Sequence, residues 1–225
     1  MRRLLPLALL LALATSAAAG PFLPPNAVDV RAVLQDPPAA GSQAERAELD
    51  VLLQLQAVRT PAQAARCAEI EKETVFTFGA DVAGARFTPE NLPRTAAFFA
   101  AVREEFIPYN RAAKALWARR RPPFVEPRIK PCVELSDSGA YPSGHGIQSA
   151  LWAALLAELM PDRADAFAAR AAETRWHKLL SGVHYPSDLT AGRLLGEALA
   201  RALLQSPACQ AALADARAEI AIRLR

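Results

Sequence analysis

A chain of 225 residues, 52% hydrophobic and 22% charged, has the composition of an ordinary globular protein and suits one compact domain, which excludes a disordered or fibrous chain. The formal net charge of +3 falls to about +1 once Arg2 and Arg3 are set aside with the leader described next, leaving 24 basic against 23 acidic residues. No basic run stands out beyond Arg119-Arg120-Arg121 and aromatic and basic residues do not interleave, so no nucleic-acid partner is implied.

Residues 1–19 run from a basic start through an apolar Leu/Ala block to small residues at Ala17-Ala18-Ala19, the order of a secretory signal peptide. The apolar block is shorter than the roughly 20 residues a membrane span needs, and no Cys follows it to take a lipid. The expectation is a periplasmic or secreted protein with no integral membrane span after the signal is removed.

Residues 20–42 hold five prolines and little helical periodicity, which predicts an extended N-terminal arm ahead of a helical domain over 43–225. Ser42 caps a helix to about Val58, and Pro61 opens another to about Glu73. Thr88-Pro89 should start a helix carrying Phe98, Phe99, Val102 and Phe106, interrupted at Pro108, with a further segment from Asn110 to Arg120. A proline-punctuated loop follows over 122–141. Helices resume over about Gly144–Leu159, Arg163–Leu180 and Ser187–Leu204, and from Pro207 to near the C-terminus. Alternating hydrophobic strands are absent, so the fold class is all-α, a single compact domain of about seven helices. Cys67, Cys132 and Cys209 either form one structural disulfide or are small buried thiols, and their spacing matches no metal site.

Three stretches carry chemistry. In HKLLSGVHYPSD, His177 to Asp188, two of the chain's three histidines meet a lysine and an aspartate. His184 falls between two helices, and Asp188, four residues on, either caps the second helix or accepts the Nδ1 proton of His184, freeing Nε2 as nucleophile or base. In AYPSGHG, Ser143 is a natural N-cap and Gly144 leaves the first amides bare, a seat for an anion, with His145 at its rim placed to protonate a leaving oxygen. In KALWARRRPP, Lys114 and Arg121 are two helical turns apart and project from one face if the helix persists, while Arg119 and Arg120 point elsewhere.

In that order the three stretches resemble the signature of the type-2 phosphatidic acid phosphatase superfamily. The proline-rich arm and C-terminal helix are similar to those of bacterial class A non-specific acid phosphatases. The resemblance implies an all-helical, metal-independent, cofactor-free acid phosphatase acting on small phosphate esters through a phosphohistidine. His184 would be the nucleophile, held by Asp188, and His145 the general acid. Lys114, Arg121, Ser143, Gly144 and Lys178 would bind phosphate. The pattern departs at His177-Lys178, where the family has Ser-Arg. Lysine keeps the charge but loses the planar fork that grips two oxygens, so a weakened phosphate grip is expected. Arg175, one turn earlier, either leans in or has a structural role, and His177 is either a hydrogen-bond partner behind the site or a steric replacement.

Three alternatives fit the same residues. Vanadium-dependent haloperoxidases share the constellation with vanadate in the seat; a soluble lipid or pyrophosphate phosphatase would act on headgroups at a membrane face, where its relatives typically place the site among membrane helices; and a decayed anion-binding protein would have lost catalysis at Lys178. A homo-oligomer stays open.

Overall fold

The computed structural model describes residues 21–224, so the signal-peptide expectation lies outside the described residues. Among these residues there are ten α-helices, one 3-10 helix and no strand. Eight of the α-helices are nine residues or longer, which sets the about seven expected too low.

The arm over 21–42 holds one short helix, α1 (Val30–Val33), capped by the Asp29 carboxylate, with turns at Pro24–Ala27 and Ala39–Ser42. It is tied down rather than loose. Glu105 accepts from the Phe22 amide at 2.6 Å, and the Trp117 indole donates to Asp36 at 2.6 Å. Ser42 caps α2 (Gln43–Val58), and Thr60 and Gln63 form a reciprocal capping box at the start of α3 (Pro61–Glu71). A helix the sequence reading missed, α4 (Val75–Ala83), starts at a Thr74–Thr77 capping box in which a threonine stands where glutamate or glutamine is usual.

The expected break at Pro108 does not occur. Helix α5 runs unbroken from Pro93 to Trp117 with Pro108 inside it. Proline removes one main-chain bond and crowds the preceding turn. Phe98, Phe99, Val102, Phe106, Tyr109 and Ala113 are buried on both sides of it, and that burial outweighs the local cost. Nor does α5 begin at Pro89. Thr88 to Asn91 forms a turn, and the Glu219 carboxylate of α10 (Pro207–Arg223) accepts from the amides of Arg94 and Thr95 at 3.0 and 2.8 Å. A carboxylate distant in sequence thus caps this helix.

The centre is α7 (Gly144–Leu159), packed against α8 (Ala164–Leu180) and α9 (Pro186–Gln205). It is apolar all round, as a helix enclosed by its neighbours should be. Ile147, Leu151, Leu155 and Leu156 are at most 1% exposed. Two glycines of α9 let the backbones meet. A Cβ on Gly192 would stand 2.6 Å from the Ser143 carbonyl oxygen, and one on Gly196 2.3 Å from that of Ile147. This approach sets the N-terminal turn of α7 beside that of α9. An ionic lattice, in which Arg66 bonds Glu173 and Asp81 at 2.9 Å and Arg170 bonds Asp81 at 2.7 Å, ties α3 and α4 to α8. All three cysteines are free thiols, with Cys67 and Cys209 buried.

Replacing Gly192 by alanine forces its methyl into the α7 backbone. The expected loss is about 1–3 kcal/mol of stability, measured by urea unfolding, together with a fall in any activity of the site between the two helix starts.

Candidate active site

The last turn of α8, the connection over 181–185 and the starts of α7 and α9 meet the end of α5. They enclose a cavity of about 240 Å³ lined by Lys114, Arg121, Gly144, His145, Lys178 and His184, with Glu71 and Glu134 on its wall. Segments more than sixty residues apart along the chain converge here.

His184 is almost wholly buried. Its Nδ1 lies 3.2 Å from Asp188 Oδ2, one helical turn away, and its Nε2 lies 3.3 Å from Arg121 Nη1. Asp188 Oδ2 also accepts the Tyr185 amide at 2.8 Å, so the carboxylate both caps α9 and orients the imidazole. The two placements weighed in the sequence, helix cap and histidine neighbour, are both compatible with this geometry.

Arg119 was expected to point elsewhere than Lys114 and Arg121, and it does not line the cavity with them, but it turns into the interior rather than to solvent. Helix α5 ends at Trp117, Ala118 adopts a left-handed conformation at φ 43°, and the chain turns so that Arg119 enters the interior. Its guanidinium donates to Asp188 Oδ1 and to Glu48 at 2.8 Å each and lies 3.6 Å from the centre of the Tyr185 ring. Glu48 of α2 in turn accepts the Ser187 amide at 2.7 Å. The same turn ends the helical face that was to carry Lys114 and Arg121 together. They reach the cavity differently, since Lys114 leaves the last turn of α5 while Arg121 sits at the N-cap of α6 (Pro122–Val125). This short helix also interrupts the loop expected over 122–141. Arg121 is fixed by the carbonyls of Ser138 at 2.9 Å and Val183 at 3.1 Å. Lys114 donates to the Gly139 carbonyl.

Lys178 is paired with Glu71 of α3. Glu71 and His145 line the same cavity. No sequence pattern marked Glu71, or Glu48 and Arg119. Ser143 is fully buried, and its hydroxyl accepts the Gly146 amide at 3.2 Å, which shapes the start of α7 from behind the cavity wall. Gly144 and His145, in the first turn, have amides that a helix leaves without internal partners. Arg175 lies beside Arg193 and Glu197, away from the cavity, and the His177 ring bonds the Glu173 carbonyl of its own helix at 3.0 Å.

The electrostatics favour an anion. Burial, then the charges of Arg121, Lys178 and Lys114, hold the His184 imidazole well below its ordinary pKa. Burial and Lys178 push His145 down to about 4, against the opposing pull of Glu71. Lys114 is lowered to about 8 by burial and by Arg121. Burial lifts the Asp188 carboxyl to about 6 even against Arg119. These cations destabilise one another, and an oxyanion between them would relieve the strain of all at once. Among the described residues no group of three or more His, Cys, Asp or Glu side chains is gathered as a metal site.

The PAP2 superfamily model matches residues 95–209, which include Lys114, Arg121, His145, Lys178 and His184. The chain belongs to the PAP2 superfamily. It is 31% identical to a non-specific acid phosphatase of Salmonella typhi over 95% of this chain and 90% of that one. A non-specific acid phosphatase of Salmonella typhimurium is 30% identical over 88% of this chain and 82% of its own length. These relatives support a phosphoric monoester hydrolase. Among solved structures, a transmembrane PAP2 type phosphatidylglycerolphosphate phosphatase from Bacillus subtilis shares the fold, with a TM-score of 0.50 and 21% identity over 72% of this chain and 85% of that one. No helix among the described residues of the present chain is long and apolar enough to cross a membrane.

Arg119→Met keeps bulk but leaves Asp188 buried beside no cation. It should cost about 3–5 kcal/mol in denaturant unfolding, whereas the neighbouring exposed Arg120→Met should stay within roughly 0.5 kcal/mol of the parent.

Proposed function

We propose that the protein is an exported acid phosphatase that hydrolyses phosphate monoesters through a phosphohistidine on His184. The observation that carries this reading is the pair of imidazoles lining one cation-walled cavity, one of them braced by a buried carboxylate. Export rests on the leader read in residues 1–19.

The ester's phosphoryl oxygens lie among Lys114, Arg121, Lys178 and the first amides of α7. With Nδ1–H donated to Asp188, His184 Nε2 carries the lone pair that faces Arg121 Nη1, and once that guanidinium turns to the phosphoryl oxygens Nε2 attacks phosphorus. The P–O bond to the alcohol breaks as the P–N bond forms, and His145 gives its proton to the departing oxygen. Water then attacks the phosphohistidine, His145 takes the water's proton, and the P–N bond breaks to return neutral His184 and inorganic phosphate. Both steps spread negative charge over oxygens already faced by cations, which is the larger share of the work in phosphoryl transfer.

Proton bookkeeping follows from the depressed pKa values. In the empty cavity, at about 4, His145 loses its proton as pH rises through the acid range, so kcat/KM should decline toward neutral and alkaline pH. A bound phosphate dianion reverses the repulsion from Lys178 and raises His145, so binding should draw a proton onto it. Titration calorimetry of inorganic phosphate in buffers of different ionisation enthalpy, near about pH 6, should show more proton uptake for the parent than for His145→Ala.

The direct test is turnover of p-nitrophenyl phosphate and an alkyl phosphate by purified protein in EDTA. The expected result is activity, with labelled phosphohistidine trapped by rapid quench and absent in His184→Ala. His145→Ala should lose about 10²–10⁴ in kcat on the alkyl ester and less on p-nitrophenyl phosphate, whose leaving oxygen needs less help from an acid. No hydrolysis of any monoester, or full activity in His184→Ala, would refute the reading.

A further inference from the structure

A second cavity, of about 270 Å³, adjoins the phosphate seat and has no role in the chemistry above. Phe106 and Gln148 line both cavities. Two helices run from one to the other. On α7, His145, Gln148 and Trp152 stand three and four residues apart and so share one face, with Gln148 one turn and Trp152 two turns beyond the histidine, about 10 Å along the axis. On α5 the face formed by Lys114, Asn110, Phe106 and Phe99 makes the same passage in the opposite chain direction.

The lining changes character along this path. The seat holds cations and imidazoles, whereas the second cavity is walled mainly by Phe76, Phe99, Phe106, Leu151 and Trp152, with Glu73, which is paired to Arg170, and Arg103 among its polar lining. Its rim is open, since Ala100 and Arg103 are exposed. A cavity of roughly 150 Å³ lined by apolar side chains accommodates benzene, so this one has room for one or two fused rings. Its position decides which part of a substrate reaches it. It lies beyond His145, the group assigned to the leaving oxygen, so what fills it is carried by the alcohol that departs.

We propose that this cavity is a leaving-group subsite for an aryl group, and that the preferred substrates are phosphate monoesters whose alcohol carries an aromatic ring within one or two bonds of the ester oxygen. Four aromatic walls supply edge and face contacts to a flat ring. Gln148, at the shared boundary, offers a polar amide where the ester oxygen passes from seat to subsite.

The inference rests on the phosphatase reading, and its test separates the two. Benzyl phosphate and glycerol 2-phosphate are compared, because both release alkoxides of similar basicity and differ in what occupies the cavity. For the parent, kcat/KM should be at least about tenfold higher for the benzyl ester, a factor equal to roughly 1.4 kcal/mol. Ala96→Leu, which adds bulk to the cavity wall, should collapse that ratio toward one. Should the variant fold poorly, binding of benzylphosphonate and methylphosphonate to the unaltered protein gives a readout that needs no turnover, with the benzyl compound expected to bind about tenfold tighter. Equal phosphonate affinities, or a substrate ratio unmoved by Ala96→Leu in folded protein, would overturn the subsite and leave the phosphatase reading intact. Absence of all monoester hydrolysis alongside preferential benzylphosphonate binding would sink the phosphatase reading while the subsite stood.

Discussion

Everything in the site depends on one buried carboxylate. Asp188 has no exposed surface, and a charge so placed is tolerable only if it is paired and hydrogen-bonded. Arg119, the Tyr185 amide and His184 supply those partners. Glu48 then satisfies a second branch of the guanidinium, so the chain of dependence runs from the imidazole through α9 and the turn after α5 to α2. The His184 imidazole is thereby tied through Asp188 and Arg119 to the turn after α5 and to α2.

The opposite constraint acts on the cavity side. Lys114, Arg121 and Lys178 crowd around two imidazoles; burial lowers the pKa of each of them, and repulsion from neighbouring cations adds to this for Lys114, Lys178, His145 and His184. The site is stable enough to exist because main-chain carbonyls hold Arg121 and Lys114 and because Glu71 accompanies Lys178. Glu71 also makes sense of the lysine. An arginine fork there would bind two oxygens directly, whereas a flexible ammonium needs a fixed partner to keep it in place, and the carboxylate supplies one at the edge of the seat.

What the sequence disclosed and what it hid divide along physical lines. Several helix starts marked by local chemistry were legible, as at Ser42, Pro61, Ser143 and Pro207, because a cap is an interaction within four residues, although the equally local Thr74–Thr77 box of α4 was not. The start of α5 was not, since its cap is the distant Glu219. Pro108 misled because the penalty for proline is local while the burial that overrides it is tertiary. The histidines, Asp188 and the cations that line the cavity were found by their order and spacing. Arg119 was lost because its direction depends on the left-handed turn at Ala118, a conformation alanine does not advertise. Glu48 and Glu71 lie outside every recognisable spacing and become visible only when α2 and α3 are placed.

The account's central claim is that His184 Nε2 faces a tetrahedral oxyanion gripped by Lys114, Arg121 and Lys178, with His145 across from it. A crystal structure with orthovanadate, which mimics the five-coordinate phosphorus of the transfer step, tests this most directly. The account predicts vanadium bonded to His184 Nε2, with its apical oxygen turned to His145 and the others met by the cations and the first amides of α7. Vanadate bound elsewhere, or seated in the cavity with no bond to His184, would contradict it.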